Sequence, residues 1–275
     1  MQSSKRPKNP YPAEQALRNK MTITADCMRN KLDCEQTEWA IRVDLAAAYQ
    51  LVSYYGWDDL IFTHISARVP GSDDHFLINP YGLMFNEINA SSLVKVDLNG
   101  SPVAGDSKQI NPAGFSIHGA IHRARHDAQC VLHLHSLDGT SVASHAEGLL
   151  ALNQTSLLLR EDLSYHDYEG VALDADEGPR LIRDLGKKNL MLLRNHGTLS
   201  LGESVATAFL RMYFLERACS MQVRTLASGP RFLPSQQAVE KVARQSKSGM
   251  VETAEQLVWP ALIRQVQQFA PGFDQ

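Results

Sequence analysis

Thiols are scarce in this 275-residue sequence, and Cys27, Cys34, Cys130 and Cys219 are scattered with no CxxC pair among them. That argues against a disulfide framework and leaves them as isolated buried or incidental thiols. Long apolar runs are missing too. No stretch reaches the roughly 18–20 residues that a membrane span requires, and the opening Met1-Gln2-Ser3-Ser4-Lys5-Arg6-Pro7 lacks the apolar centre of a secretion signal. Neither sign of charge dominates: 27 Lys and Arg stand against 30 Asp and Glu, with the basic residues dispersed, so no nucleic-acid-binding stripe is present. Internal repeats are absent as well. These exclusions leave a cytoplasmic globular protein whose partner is a small molecule, with neither membrane nor nucleic acid involved.

Patterning divides the chain into a polar arm over 1–32, broken by Pro7, Pro10 and Pro12, a main domain over 33–230, and a helical extension over 231–275. A helical stripe from Glu35 to Tyr55 ends at Gly56, the usual place for a C-terminal glycine. The segments 62–69 and 76–79 read as a hairpin across Gly71-Ser72-Asp73-Asp74, and 93–98 as a third strand closed by Asn99-Gly100. A helix follows Pro112, then the apolar strand Cys130 to Ser136. Helices are expected near 137–146, 178–185, 203–227, 236–245 and 252–269, the last interrupted by Pro260. Further strands are expected at 149–152, 163–166, 190–193 and 198–201, while 155–159 is either a turn of helix or irregular. Short turns between neighbouring strands predict an α/β fold with a mixed, mainly antiparallel sheet covered by helices on both faces.

The chemistry centres on Cys130-Val131-Leu132-His133-Leu134-His135-Ser136. Side chains alternate along a strand, so His133 and His135 leave by the same face and offer half of a tetrahedral metal site. His196, in Arg194-Asn195-His196-Gly197 at the end of another apolar run, is the candidate third ligand. The competing reading makes all three ordinary strand histidines bonded to the backbone. His118, on the helix before the H-x-H strand, is a candidate fourth ligand or outer group, or else a core histidine joining helix to sheet.

The order of motifs resembles the class II aldolase/adducin family. A helix ends in Gly56-Trp57; Thr63-His64-Ile65-Ser66 and Asn79-Pro80-Tyr81-Gly82-Leu83 come next; a second helix ends in Ala124-Arg125-His126-Asp127. Then come the H-x-H-Ser strand, Arg194-Asn195-His196-Gly197, and a long helix after Gly202-Glu203-Ser204, the match running from Gln36 to Ser228. The resemblance implies a three-layer α/β/α sandwich and a homotetramer. It also implies one Zn2+ per chain, or another divalent metal, on His133, His135 and His196. It further implies a metal-dependent lyase or epimerase that cleaves or epimerises a small hydroxy-carbonyl compound, sugar phosphates included, by enediolate chemistry. The family's enzymes carry an acid at the start of the helix before the H-x-H strand, and Ala113-Gly114-Phe115 puts glycine there. No catalytic acid or base is therefore assigned. His64, Asn79 and Gly114 are the substrate-binding candidates, His64 and the backbone at Gly114 toward an anionic group. The glycine, with Tyr165-His166-Asp167-Tyr168, also resembles the adducin branch, so a non-catalytic oligomeric module with a structural or vestigial metal is the alternative.

Overall fold

The computed structural model describes residues 35–103, 109–171, 176–246 and 249–275, with Pro112 and Ala113 described by backbone alone. The expected arm over 1–32, together with Cys27 and Cys34, lies outside the described residues. In chain order the strands are β1 (His64–Arg68), β2 (His75–Ile78), β3 (Val94–Asp97), β4 (Cys130–Leu134), β5 (Leu163–His166), β6 (Leu190–Leu193) and β7 (Gly197–Gly202). They form one sheet in the order β3-β2-β1-β4-β7-β6-β5. Every pairing is antiparallel except β5 with β6, so the predicted mixed sheet is present.

Helices cover both faces. On one side lie α1 (Gln36–Tyr54), α3 (Leu137–Ala143), α4 (Gln154–Leu159), α6 (Val205–Ala227) and α9 (Trp259–Phe269). Leu45, Leu51, Phe209, Met212 and Leu215 from these helices pack on Ile65, Leu132, Leu134 and Leu192 of the sheet. On the other side α2 (Pro112–Ala124) and α5 (Glu177–Leu185) pack Ile117, Ile121, Leu181 and Leu185 on Val131, Met191, Leu193, Leu199 and Leu201. The division follows from alternation: along β4, Cys130, Leu132 and Leu134 face one layer and Val131 faces the other. The arrangement is the expected α/β/α sandwich.

The predicted strand over 149–152 is not formed. Its backbone donors go elsewhere: Leu149 N–H to the Tyr165 hydroxyl, Leu150 N–H to Gln222 Oε1, and Leu152 N–H to the Leu150 carbonyl. With those groups satisfied locally the segment needs no strand partner. Pro260 does not break its helix either. A π-helical turn over Ala254–Val258 joins α8 (Met250–Thr253) to α9, and Pro260 then sits in the first turn of α9, just after the Trp259 N–H bonds the Ala254 carbonyl. The extension is tied down rather than loose: Trp259 donates to Asp44 Oδ1 at 2.8 Å, and Trp259, Val266 and Phe273 join the main core. α7 (Gln236–Gln245) has no buried residue.

Tyr49 pins this layer to the sheet. Its hydroxyl, fully buried, meets the Ile65 carbonyl at 2.5 Å, Asn79 Oδ1 at 2.8 Å, and the N–H groups of Ile65 and Asn79. Tyr49→Phe should strand those buried groups and cost about 1–3 kcal/mol, read as a lower urea midpoint at unchanged slope.

Candidate metal centre

His133 is the fourth residue of β4, and His135 stands just past the strand's last residue. β7 runs antiparallel alongside, with His133 opposite Leu199 and Leu134 opposite Thr198. That register brings His196, which immediately precedes β7, level with the end of β4. Ring centroids lie 4.8 Å apart for His133 and His135, 4.7 Å for His133 and His196, and 4.9 Å for His135 and His196. One nitrogen from each ring falls within 4.8 Å of the other two. The three imidazoles selected from the sequence converge.

The hydrogen bonds behind two of them fix where their protons are. His133 Nδ1 is 3.1 Å from the Thr198 carbonyl, and His135 Nδ1 is 3.0 Å from Asp59 Oδ2. A carbonyl and a carboxylate only accept, so each Nδ1 carries the proton, and in the neutral form of each ring Nε2 presents a lone pair. Those two Nε2 atoms are 3.0 Å apart. When both rings are neutral, lone pairs facing each other at that distance repel, and a cation between them relieves the repulsion. Tetrahedral zinc, with Zn–N of about 2.0–2.1 Å, sets its ligand nitrogens roughly 3.3 Å apart, so the pair fits the ion. Burial first, and the neighbouring imidazoles after it, hold His133 well below the usual histidine range and His196 down to about 4. Those two rings therefore stay neutral near neutral pH, as metal ligation requires.

The backbone is bent to serve this geometry. Among the described residues, two that are not glycine have positive φ: Asn195 at 57° and Leu60 at 50°. One precedes His196; the other follows Asp59. Left-handed backbone costs roughly 1–2 kcal/mol at such positions and is expected where a functional side chain must be aimed. Gly197 is needed for a different reason. A Cβ there would sit 2.3 Å from the Leu134 carbonyl and 3.1 Å from the His135 ring.

Behind the triad, Glu216 of α6 accepts from Ser136 Oγ at 2.5 Å and from Thr198 Oγ1 at 2.8 Å. Ser136 adjoins His135 and Thr198 holds His133, so one buried carboxyl braces both segments that carry the triad. Burial pushes its pKa up to about 7 against the two hydrogen bonds. The folded chain thus keeps a proton that the unfolded chain releases near pH ~4.3. This contribution to stability is full below that value and is lost as pH rises through about 7. Relative to Glu216→Gln, the metal-free wild type should lose on the order of 3 kcal/mol between about pH 4.5 and about pH 8, measured by urea denaturation.

His64 is the cross-strand partner of His133, with ring centroids 5.3 Å apart. On β1, Ile65 and Ala67 pack toward the α1 side, and His64, Ser66 and Arg68 face α2. There His64 Nδ1 meets His118 Nε2 at 2.9 Å, His118 Nδ1 meets Ser66 Oγ at 2.6 Å, and Ser66 Oγ meets His122 Nε2 at 2.7 Å. Both ring nitrogens of His118 are thereby engaged. Of its expected roles, the geometry matches the core histidine that joins helix to sheet, from α2 to His64 and Ser66 of β1. Gly114, in the first turn of α2, faces the same histidine: a Cβ there would fall 2.2 Å from His64 Cδ2 and 2.3 Å from Nε2. His64 fills the space where the resemblance expects an acid. Asn79 is buried with its side-chain oxygen on Tyr49, tying β2 to α1.

A hollow of about 500 Å³ opens beside the triad, lined by His135, Leu137, Thr140, Tyr168, Asn195 and His196. The Tyr168 ring centroid is 6.5 Å from that of His196. Larger hollows of about 930 and 720 Å³ lie elsewhere, the first lined by Asp162, Glu203 and Arg211, the second by Phe115, Arg123 and Ile182; neither contains a histidine. No sequence motif points to Asp59, which reaches the site from a loop. Glu216 does carry a readable signal, as a lone carboxylate inside the apolar stripe of α6.

A family model described as the Class II Aldolase and Adducin N-terminal domain matches residues 43–223. A Caulobacter vibrioides protein named provisionally as an aldolase class 2 protein is 52% identical over 86% of this chain and 93% of its own length. Rattus norvegicus alpha-adducin is 45% identical over 70% of this chain, a match spanning 27% of the adducin. A crystal structure of an aldolase II superfamily protein from Pseudomonas syringae superimposes with a TM-score of 0.83 at 44% identity, covering 89% of this chain and 99% of that one. L-fuculose 1-phosphate aldolase from Glaciozyma antarctica shares the fold at a TM-score of 0.74 and 24% identity, covering 85% and 92%.

Proposed function

The chain belongs to the class II aldolase and adducin family, and from that premise we propose that it is a zinc-dependent aldolase or epimerase acting on a small hydroxy-carbonyl compound. The observation that carries this reading is the 3.0 Å approach of two Nε2 atoms whose Nδ1 protons are committed to Thr198 and Asp59. His133, His135 and His196 would hold the ion, one per chain. Zinc bound there would supply a Lewis acid to a carbonyl or hydroxyl oxygen of the substrate. Asp59 and the Thr198 carbonyl orient the ligand rings, as acceptors behind metal-bound histidines do. Glu216 keeps the two ligand segments in register from behind. Tyr168 and Leu137 wall the hollow through which a small substrate reaches His135 and His196. A homotetramer is part of the same proposal.

A second reading, a non-catalytic module of the adducin kind, is favoured by the glycine at 114 and by the 45% identity to alpha-adducin. One experiment separates the two. Protein purified without chelator is analysed for metal, then assayed at high concentration against hydroxy-aldehydes, hydroxy-ketones and sugar phosphates. About one zinc per chain with turnover that chelation abolishes supports the enzyme. Stoichiometric zinc without turnover of any compound supports the module, and no transition metal after growth with zinc removes both metal readings.

A further inference from the structure

The hollow beside the triad has a wall of hydroxyls. Leu137, Thr140 and Ser141 of α3 and Ser144 at its C-cap all line it. Residues three, four and seven places on from Leu137 share its side of the helix, while Val142 and Ala143 turn inward and are buried. Each of the three hydroxyls already donates. Thr140 Oγ1 bonds the His196 carbonyl at 3.3 Å, Ser141 Oγ the Leu137 carbonyl at 2.7 Å, and Ser144 Oγ the Thr140 carbonyl at 2.9 Å. A carbonyl oxygen only accepts and a hydroxyl has one proton, so the direction of every one of these bonds is fixed. What the hydroxyls present to the hollow is lone pairs.

The rest of the lining agrees. Outside the triad, the side-chain donors among the described residues that line the hollow are the Asn195 amide and the Tyr168 hydroxyl, and both also accept. No Lys or Arg is among them. Leu137, 87% exposed, and the Tyr168 ring, 53% exposed, add apolar surface at the same wall. Acceptors interleaved with apolar patches suit a carbon chain that carries donating hydroxyls. They do not suit a phosphate ester, which is chiefly an acceptor and bears about −1.5 to −2 charge near neutral pH. Against this wall its charge would leave water with no cation to meet it. The zinc proposed above is the exception, and a phosphate that took the ion's open position would keep the substrate carbonyl off it.

We propose that the hollow is a subsite for an unphosphorylated, polyhydroxylated carbonyl compound, whose carbonyl end faces the triad and whose hydroxyl chain donates to Thr140, Ser141 and Ser144. Those three residues then determine which compounds are accepted. The volume of about 500 Å³ suits a ligand of that size, within the roughly 300–1,000 Å³ of ordinary small-molecule sites. The proposal rests on the zinc-dependent reading of the triad and narrows its substrate to free sugars and their short-chain relatives.

The test compares two hydroxy-ketones that differ at the end remote from the carbonyl. Wild-type protein is loaded with zinc, its metal content is measured, and it is titrated by calorimetry with erythrulose and with dihydroxyacetone phosphate. Erythrulose should bind at least about tenfold more tightly, and amide 1H–15N spectra should shift at residues 140–144. Ser144→Ala should weaken erythrulose by about three- to tenfold and leave the phosphate ester unchanged. Ser144→Lys, which brings a cation to the wall, should strengthen the phosphate ester by about tenfold. Tighter binding of dihydroxyacetone phosphate to the wild type overturns the proposal, as does erythrulose binding that leaves the amides of 140–144 unmoved, or no binding of either compound to zinc-loaded protein. Should a variant not fold, the wild-type comparison decides by itself. Protein that holds no zinc overturns the zinc-dependent enzyme and this subsite with it, whereas stoichiometric zinc with the phosphate ester preferred overturns the subsite alone.

Discussion

Zinc affinity should fall by more than about 100-fold in His196→Ala and by about 10- to 100-fold in Asp59→Ala, measured by competition with a chromophoric chelator. The ordering follows from the geometry. His196 is one of three converging nitrogens, and its removal leaves the two Nε2 atoms of His133 and His135 to hold the ion with water. Asp59 touches no ion; it fixes the proton of His135 on Nδ1 across 3.0 Å. Groups that orient a metal-bound histidine typically contribute a factor of about 10–100, less than a ligand itself. Equal losses for both variants would mean that Asp59 is a ligand; no loss in His196→Ala would remove the triad from consideration.

The second large effect concerns the pair Gly114 and His64. Gly114→Ala places a methyl 2.2 Å from His64 Cδ2, a distance no packed core tolerates. Overpacking of this kind costs about 1–3 kcal/mol, and here the displaced ring also belongs to a hydrogen-bonded row with no slack. Once His64→Ala has emptied the space, the same Gly114→Ala change should be neutral or stabilising by up to about 1 kcal/mol, because alanine is the better helix former. The sign reversal, measured by urea denaturation across the four proteins of the cycle, is the signature of direct contact. A cost for Gly114→Ala that is the same in both backgrounds would place the strain elsewhere.

That pair also shows where the reading of a sequence succeeds and where it stops. The triad is legible because its signal is local: two histidines one apart in an apolar strand, and a third followed by a glycine. The sheet is legible for the same reason, since short turns between alternating segments favour antiparallel neighbours. His64 as the occupant of the empty position is not legible. It depends on the register that sets His64 opposite His133 and on the way α2 lies across β1, neither of which is written in any one segment. Asp59 reaches His135 from a loop 76 residues away. The segment 149–152 misleads because its apolar pattern is real while its hydrogen-bond partners are side chains of Tyr165 and Gln222, which no period reveals. Pro260 reads as an interruption because the π turn ahead of it has no sequence signature.

The pairing of β4 with β1 on one side and β7 on the other has a consequence for how the molecule comes into being. Each contact joins residues roughly 70 apart in the chain, so closing them is entropically late and slow relative to helix formation. A nascent chain that has emerged only as far as Ser136 holds two imidazoles and lacks the third until β7 is synthesised. On the zinc reading proposed above, cation capture would therefore wait for the centre of the sheet to assemble, and metal shortage during synthesis should leave the folding route unchanged while lowering the final occupancy.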